Sequence, residues 1–118
     1  MTADFDAGAA AVKRLPNKIK IGPHDYRIEV IHDLTAASRG EWGFNSAIEL
    51  KISLQQTFPS PTRAAETFLH EVGHGVFNIC HIGDGEKEEE IITRTTKMWV
   101  AVYRDNPWLL DWIKECMQ

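Results

Sequence analysis

Hydrophobic and polar positions alternate with a period of two in the first half of the chain and switch to a helical period in the second. Ile19-Lys20-Ile21 alternates, Gly22-Pro23-His24-Asp25 supplies turn chemistry, and Tyr26-Arg27-Ile28-Glu29-Val30 alternates again, which predicts a β-hairpin. After a polar stretch through Ser38-Arg39-Gly40, Trp42 to Phe44 reads as a short strand. Ala47 to Ile52 reads as a clearer one, with Ile48, Leu50 and Ile52 on one face. Three to four short strands therefore precede the first helix.

That helix starts at Ser60-Pro61, an N-cap followed by proline at the first helical position. At about 100° per residue, Ala65, Phe68, Leu69, Val72, Val76 and Ile79 form one apolar stripe. His70 and His74 fall opposite it, about 40° apart, and Gly73 is expected to leave room for a close approach. The stripe packs on the sheet and the histidines face a cleft. Gly83-Asp84-Gly85 closes this region, a second helix is predicted from Glu86 to Arg104, and Asp105-Asn106-Pro107 breaks it. Asn106 is expected to cap a last helix from Pro107 to Met117, carrying Leu109, Trp112, Ile113 and Cys116 at helical spacing. Strands followed by helices give an α+β fold, a small and mostly antiparallel sheet with a central helix and two C-terminal ones. Residues 1–14 read as a loose, flexible tail, with room for no more than a helical turn over Ala7 to Val12, and a single domain is expected over residues 15–118.

At 118 residues, with 43% apolar side chains and four tryptophans, the chain can bury one core. A net charge of −4 without a Lys/Arg stripe argues against a nucleic-acid partner. The first eleven residues are small and acidic, unlike a secretory signal, and no apolar run approaches the roughly 20 residues of a membrane span. These features predict a cytoplasmic location. Cys80 and Cys116 match no metal or redox spacing and are expected as reduced, mostly buried hydrophobes.

One motif carries chemistry. In His70-Glu71-Val72-Gly73-His74 the two imidazoles stand one helical turn apart, a spacing that lets both reach one Zn²⁺ at about 2.0–2.1 Å. Glu71 between them projects beside the metal rather than onto it, where a carboxylate can take a proton from attacking water and pass it to a leaving amine. A catalytic zinc needs a third protein ligand. Downstream candidates are His81, Asp84 and the glutamates of Glu86-Lys87-Glu88-Glu89-Glu90. A metzincin would have glycine at Phe77 and histidine at Cys80, which excludes that class. Acidic residues also favour a helix's first turn through its dipole. The positions that follow Glu89 on its helix face, Ile92, Thr96 and Trp99, read as inward and favour it. Glu88, with Ile91, Thr95 and Met98, is close behind.

The segment Thr67-Phe68-Leu69-His70-Glu71-Val72-Gly73-His74, followed by Glu89 and a helix, resembles the ImmA/IrrE-type zinc metallopeptidases, most of all the short HExxH domains of phages and prophages. The strand Ile48 to Ile52 and the sequence Arg104-Asp105-Asn106-Pro107 are similar as well, so the likeness covers about residues 19–113. It implies a minimal zincin fold in which His70, His74 and Glu89 hold zinc, with Glu71 as general base. It also implies a sheet-edge strand, here Glu41 to Ile48, that pairs with an extended peptide. Where larger relatives carry a small residue and then Asn or Asp, three and four positions after that glutamate, this chain has Ile92 and Thr93. The expected function is a zinc-dependent metallopeptidase acting on a protein or peptide. The alternatives are a zinc-stabilised binding module without turnover and a DNA-associated protease of the SprT type. Tyr103 is a further candidate, as an oxyanion donor.

Overall fold

The alternation at residues 19–30 folds as a hairpin in the computed structural model, which describes residues 2–32, 42–81 and 87–118, apart from the side chains of Thr2, Glu88, Glu89 and Ile92. Strand β1 (Lys18–Ile21) pairs antiparallel with β2 (His24–Ile31) across a turn in which Gly22 takes the positive φ of 61° that a two-residue hairpin loop requires. Strands β3 (Gly43–Ser46) and β4 (Lys51–Gln55) form a second antiparallel pair, and β4 joins β2 in parallel. The sheet order is β1-β2-β4-β3, which leaves β1 and β3 as its edges. Four helices accompany it among the described residues: α1 (Thr2–Lys13), α2 (Pro61–Cys80), α3 (Glu88–Asp105) and α4 (Trp108–Cys116). The architecture is α+β, a mostly antiparallel four-stranded sheet with two C-terminal helices. None of these helices is long and apolar enough to cross a membrane. The segments Ser38-Arg39-Gly40 and Gly83-Asp84-Gly85, and the residues Glu41 and Glu86, lie outside the described residues.

Helix α2 is the centrepiece. Ser60 accepts a hydrogen bond from Arg63 N through its hydroxyl, and Pro61 takes the first helical position, as the sequence indicates. Ala65, Phe68, Val72 and Val76 are buried against Ile19, Ile21, Ile52 and Leu54 of the sheet and Phe58 beyond it. The close approach falls at Gly75 rather than Gly73. A Cβ at position 75 would come within 2.8 Å of Ile21 Cδ1, whereas one at position 73 would meet only the Trp99 ring at an ordinary 3.9 Å.

Two readings of the chain are corrected by these contacts. The strand expected over residues 47–52 begins later, at Lys51, and residues 47–50 form a turn that leaves Ile48 97% exposed. Leu50 closes that turn in the left-handed region (φ 53°), so the apolar spacing of Ile48, Leu50 and Ile52 spans a bend. Residues 1–14 were expected as a tail, yet Thr2–Lys13 is helix α1. Ala11 and Val12 are buried, Gly8 fits against the Phe58 carbonyl, and Trp112 Nε1 donates to Ala11 O at 3.0 Å. An alanine-rich helix is intrinsically favourable but shows no conspicuous apolar stripe, which is why pattern alone passes over it.

Asn106 does something other than cap α4 with its side chain. The backbone of Lys20 faces outward from the β1 edge, and the Asn106 amide meets it there. Oδ1 accepts from Lys20 N (3.1 Å), while Nδ2 donates to Lys20 O and to Val102 O (2.8 Å each). The α3–α4 corner thereby covers one sheet edge as a neighbouring strand would. Asn106 is 4% exposed, so its loss strands polar groups away from water. We expect Asn106→Ala to lower stability by about 2–3 kcal/mol. Asn106→Asp, which sets an acceptor against two carbonyls, should cost at least as much. The midpoint of urea unfolding measures both; a midpoint unchanged in either variant would contradict this role.

Candidate metal centre

Opposite the buried stripe of α2, the His70 and His74 rings stand exposed and nearly perpendicular, at 86°, with their Nε2 atoms 3.2 Å apart. Tetrahedral bonds of about 2.0–2.1 Å to one ion separate two donor nitrogens by about 3.3–3.4 Å, so the pair fits a shared zinc. Among the described residues no group of three His, Cys, Asp or Glu side chains is arranged to hold a metal ion. Glu89, the sequence's choice of third ligand, is in the first turn of α3; its side chain and that of Glu88 lie outside the described residues. On the helix face that follows Glu89, Trp99 packs against the core. Thr96 on that face is exposed, while Ile91, Thr95 and Met98 on the neighbouring face are half-buried and Val102 is buried.

Glu71 sits between the imidazoles in sequence but turns inward, at 7% exposure. Burial pushes its carboxyl above the ordinary range, and the charges of His70 and His74 pull it partly back. Its backbone is tied to the sheet edge, because Asn45 Nδ2 donates to Glu71 O at 2.8 Å. Gly43 of the same strand lies directly on Glu71; a Cβ there would come within 3.2 Å of the glutamate's Cγ and 3.0 Å of Thr67 Cγ2. Both residues lie in the stretch expected as the peptide-pairing edge, but their contacts with Glu71 are not legible in sequence, because Glu71 is on another element, 26 residues from Asn45.

Among the described residues no strand pairs with the outer edge of β3. Gln55 N donates to Trp42 O, and the antiparallel alternation from that pair turns the backbone N–H and C=O groups of Gly43 and Asn45 away from β4. Two depressions meet under that edge and share Gly43, His70 and Glu71. One, of about 840 Å³, runs toward Phe44, Phe77 and His81; the other, of about 410 Å³, runs toward Trp42, Arg63 and Thr67. His81, weighed as a ligand, is the C-cap of α2 in the left-handed conformation, its N–H bonded to Asn78 O and Phe77 O. The Tyr103 ring, a candidate oxyanion donor, stacks on Trp99 (5.9 Å between centroids). Trp42 lines the smaller depression while also packing on Phe58. Cys80 and Cys116 are free thiols, half-buried and buried. Comparison with protein-family models, with curated proteins and with solved structures returned no match, so the reading of this site stands on its residues and geometry.

Proposed function

We propose that this chain is a zinc-dependent metallopeptidase that hydrolyses a peptide bond held in extended form along β3. The observation that carries the reading is a pair of imidazole nitrogens at metal-sharing distance, with a shielded carboxylate beside them, beside a strand edge that no described residue pairs with. His70 and His74 would hold the zinc, with Glu89 as the third ligand and Glu88 as the neighbouring alternative. When bound, zinc supplies a Lewis acid that polarises the scissile carbonyl and makes water a competent nucleophile near neutral pH. The outward N–H and C=O groups of Gly43 and Asn45 pair with substrate backbone and fix the bond over the site. Glu71 takes the proton of the attacking water and delivers it to the departing amine. Its partial burial keeps bulk water from competing for that proton. The Asn45 bond to the Glu71 carbonyl couples the strand that positions substrate to the residue that moves the proton.

Metal analysis of the purified protein tests the ligand set. About one zinc per chain is expected for the wild type. One of the two variants Glu89→Ala and Glu88→Ala should lose it or hold it loosely. Wild-type protein that takes up no zinc from a metal-supplemented buffer would end the proposal.

A further inference from the structure

We infer that the groove continues beyond the metal centre into a carboxylate site, where His24, Asn78 and His81 take an acidic group of the substrate about three residues from the scissile bond. This rests on the peptidase reading and names the substrate class of the same groove. The chain has five histidines. His32 Nδ1 lies 2.8 Å from Gln56 Oε1, and His70 and His74 face each other. The two left without a hydrogen-bond or ion-pair partner among the described residues, His24 and His81, line one depression of about 440 Å³. That depression shares Ala47, Asn78 and His81 with the larger one over the metal centre, so the two run together. His24 opens β2, His81 closes α2, and both are exposed. Asn78 is hydrogen-bonded to the hydroxyl of Tyr26, which is 1% exposed. Its amide nitrogen carries two N–H groups, so at least one remains for the depression. An imidazole keeps at least one N–H donor in either charge state, whereas a carboxylate only accepts. No Asp or Glu is among the described residues that line this depression, and Asp25 alternates to the other face of the sheet. The last carbonyls of a helix carry partial negative charge, which would repel an anion. Arg94 Nη1 donates to Cys80 O at 3.0 Å and offsets that charge at the end of α2. Pro23, Leu50 and Ile79 complete the wall and suit the methylene stem of a glutamate while its carboxylate meets the donors. From His74 to His81, α2 advances about 10 Å at 1.5 Å per residue, which an extended chain at about 3.3 Å per residue covers with about three residues.

The test uses extended peptides, acetylated and amidated at their ends, with Glu or Gln at the third residue before or after the scissile bond. Binding is read by anisotropy on zinc-loaded Glu71→Gln protein, and hydrolysis as kcat/KM on zinc-loaded wild type. At one of the two positions Glu should be bound and cleaved about tenfold better than Gln, as a charge-assisted hydrogen bond at an exposed site provides. At the other position the two should agree within about threefold. His24→Ala and His81→Ala should each bring the Glu:Gln ratio to within about threefold; both side chains are exposed, so neither substitution threatens the fold. His81→Asn should retain most of the ratio, because it keeps an N–H donor and tolerates the left-handed backbone at φ 55°. Gln peptides cut short at the third residue after the bond, with a free or an amidated C-terminus, tell a chain end from a side chain. A tenfold gain from the free end, with none from Glu, assigns the site to a terminal carboxylate. Equal binding of every carboxylate and amide pair, or a ratio that survives both alanine variants, overturns the site, and intact cleavage then leaves the hydrolase standing. A second equivalent of zinc that both variants lose would make the pair a metal site, which also overturns it. Carboxylate-selective binding without cleavage supports the site and removes the hydrolase. Neither binding nor cleavage overturns both.

Discussion

Glu71→Gln is expected to lower kcat for peptide hydrolysis by about 10²–10⁴-fold while leaving zinc content and KM nearly unchanged. The substitution keeps the size of a side chain that is 7% exposed and lies against Gly43. The hydrogen bond from Asn45 is made to the backbone carbonyl, which the substitution does not alter. His70 and His74 keep their positions on the exposed face of α2. An amide cannot accept and return the proton of the attacking water, so the loss belongs to the chemical step and corresponds to about 3–5 kcal/mol of barrier. A fall in kcat with unchanged metal separates this role from a structural one. Hydrolysis of a verified substrate that survives the substitution would remove Glu71 from the mechanism. A wild type that binds peptides and zinc but cleaves none would leave the non-catalytic binding module as the better account.

How much of this was legible in the sequence follows the range of the interactions involved. The histidine pair depends only on helical spacing, and Ser60-Pro61 with the Phe68–Val72–Val76 stripe fixes the helix and its buried face; all of that is local. The hairpin was equally legible, because Gly22-Pro23 separates two alternating runs. What escaped was decided elsewhere in the fold. Gly75, not Gly73, admits Ile21 from a strand more than fifty residues away in sequence. Asn106 looks like a helix cap until Lys20 is brought beside it. Helix α1 draws its order from Phe58 and Trp112, neither of which its own alanines announce. Ile48 misled for a different reason: the alternation is real, but a left-handed Leu50 turns the chain before the strand begins.

Zinc should stabilise the fold, and the stabilisation should run through the two imidazoles alone. At free zinc about 100-fold above its dissociation constant, binding to the folded state adds about 2.7 kcal/mol. For a chain of 118 residues that raises Tm by about 10 °C relative to a chelator-treated sample. His70 and His74 are exposed, and the contact that joins their rings is with each other. Replacing either by alanine in the presence of chelator should therefore change stability by no more than about 0.5 kcal/mol, as for other surface positions. In zinc the same variants should lose nearly all of the increase, because one imidazole and a single downstream carboxylate hold the ion far less tightly than three donors. Stability equal to wild type without zinc and below it with zinc is a signature that a packing role for the histidines cannot produce. A Tm that rises equally with zinc in wild type and in His70→Ala and His74→Ala would place the metal somewhere else on the molecule, and Glu71 would then have no metal centre to serve.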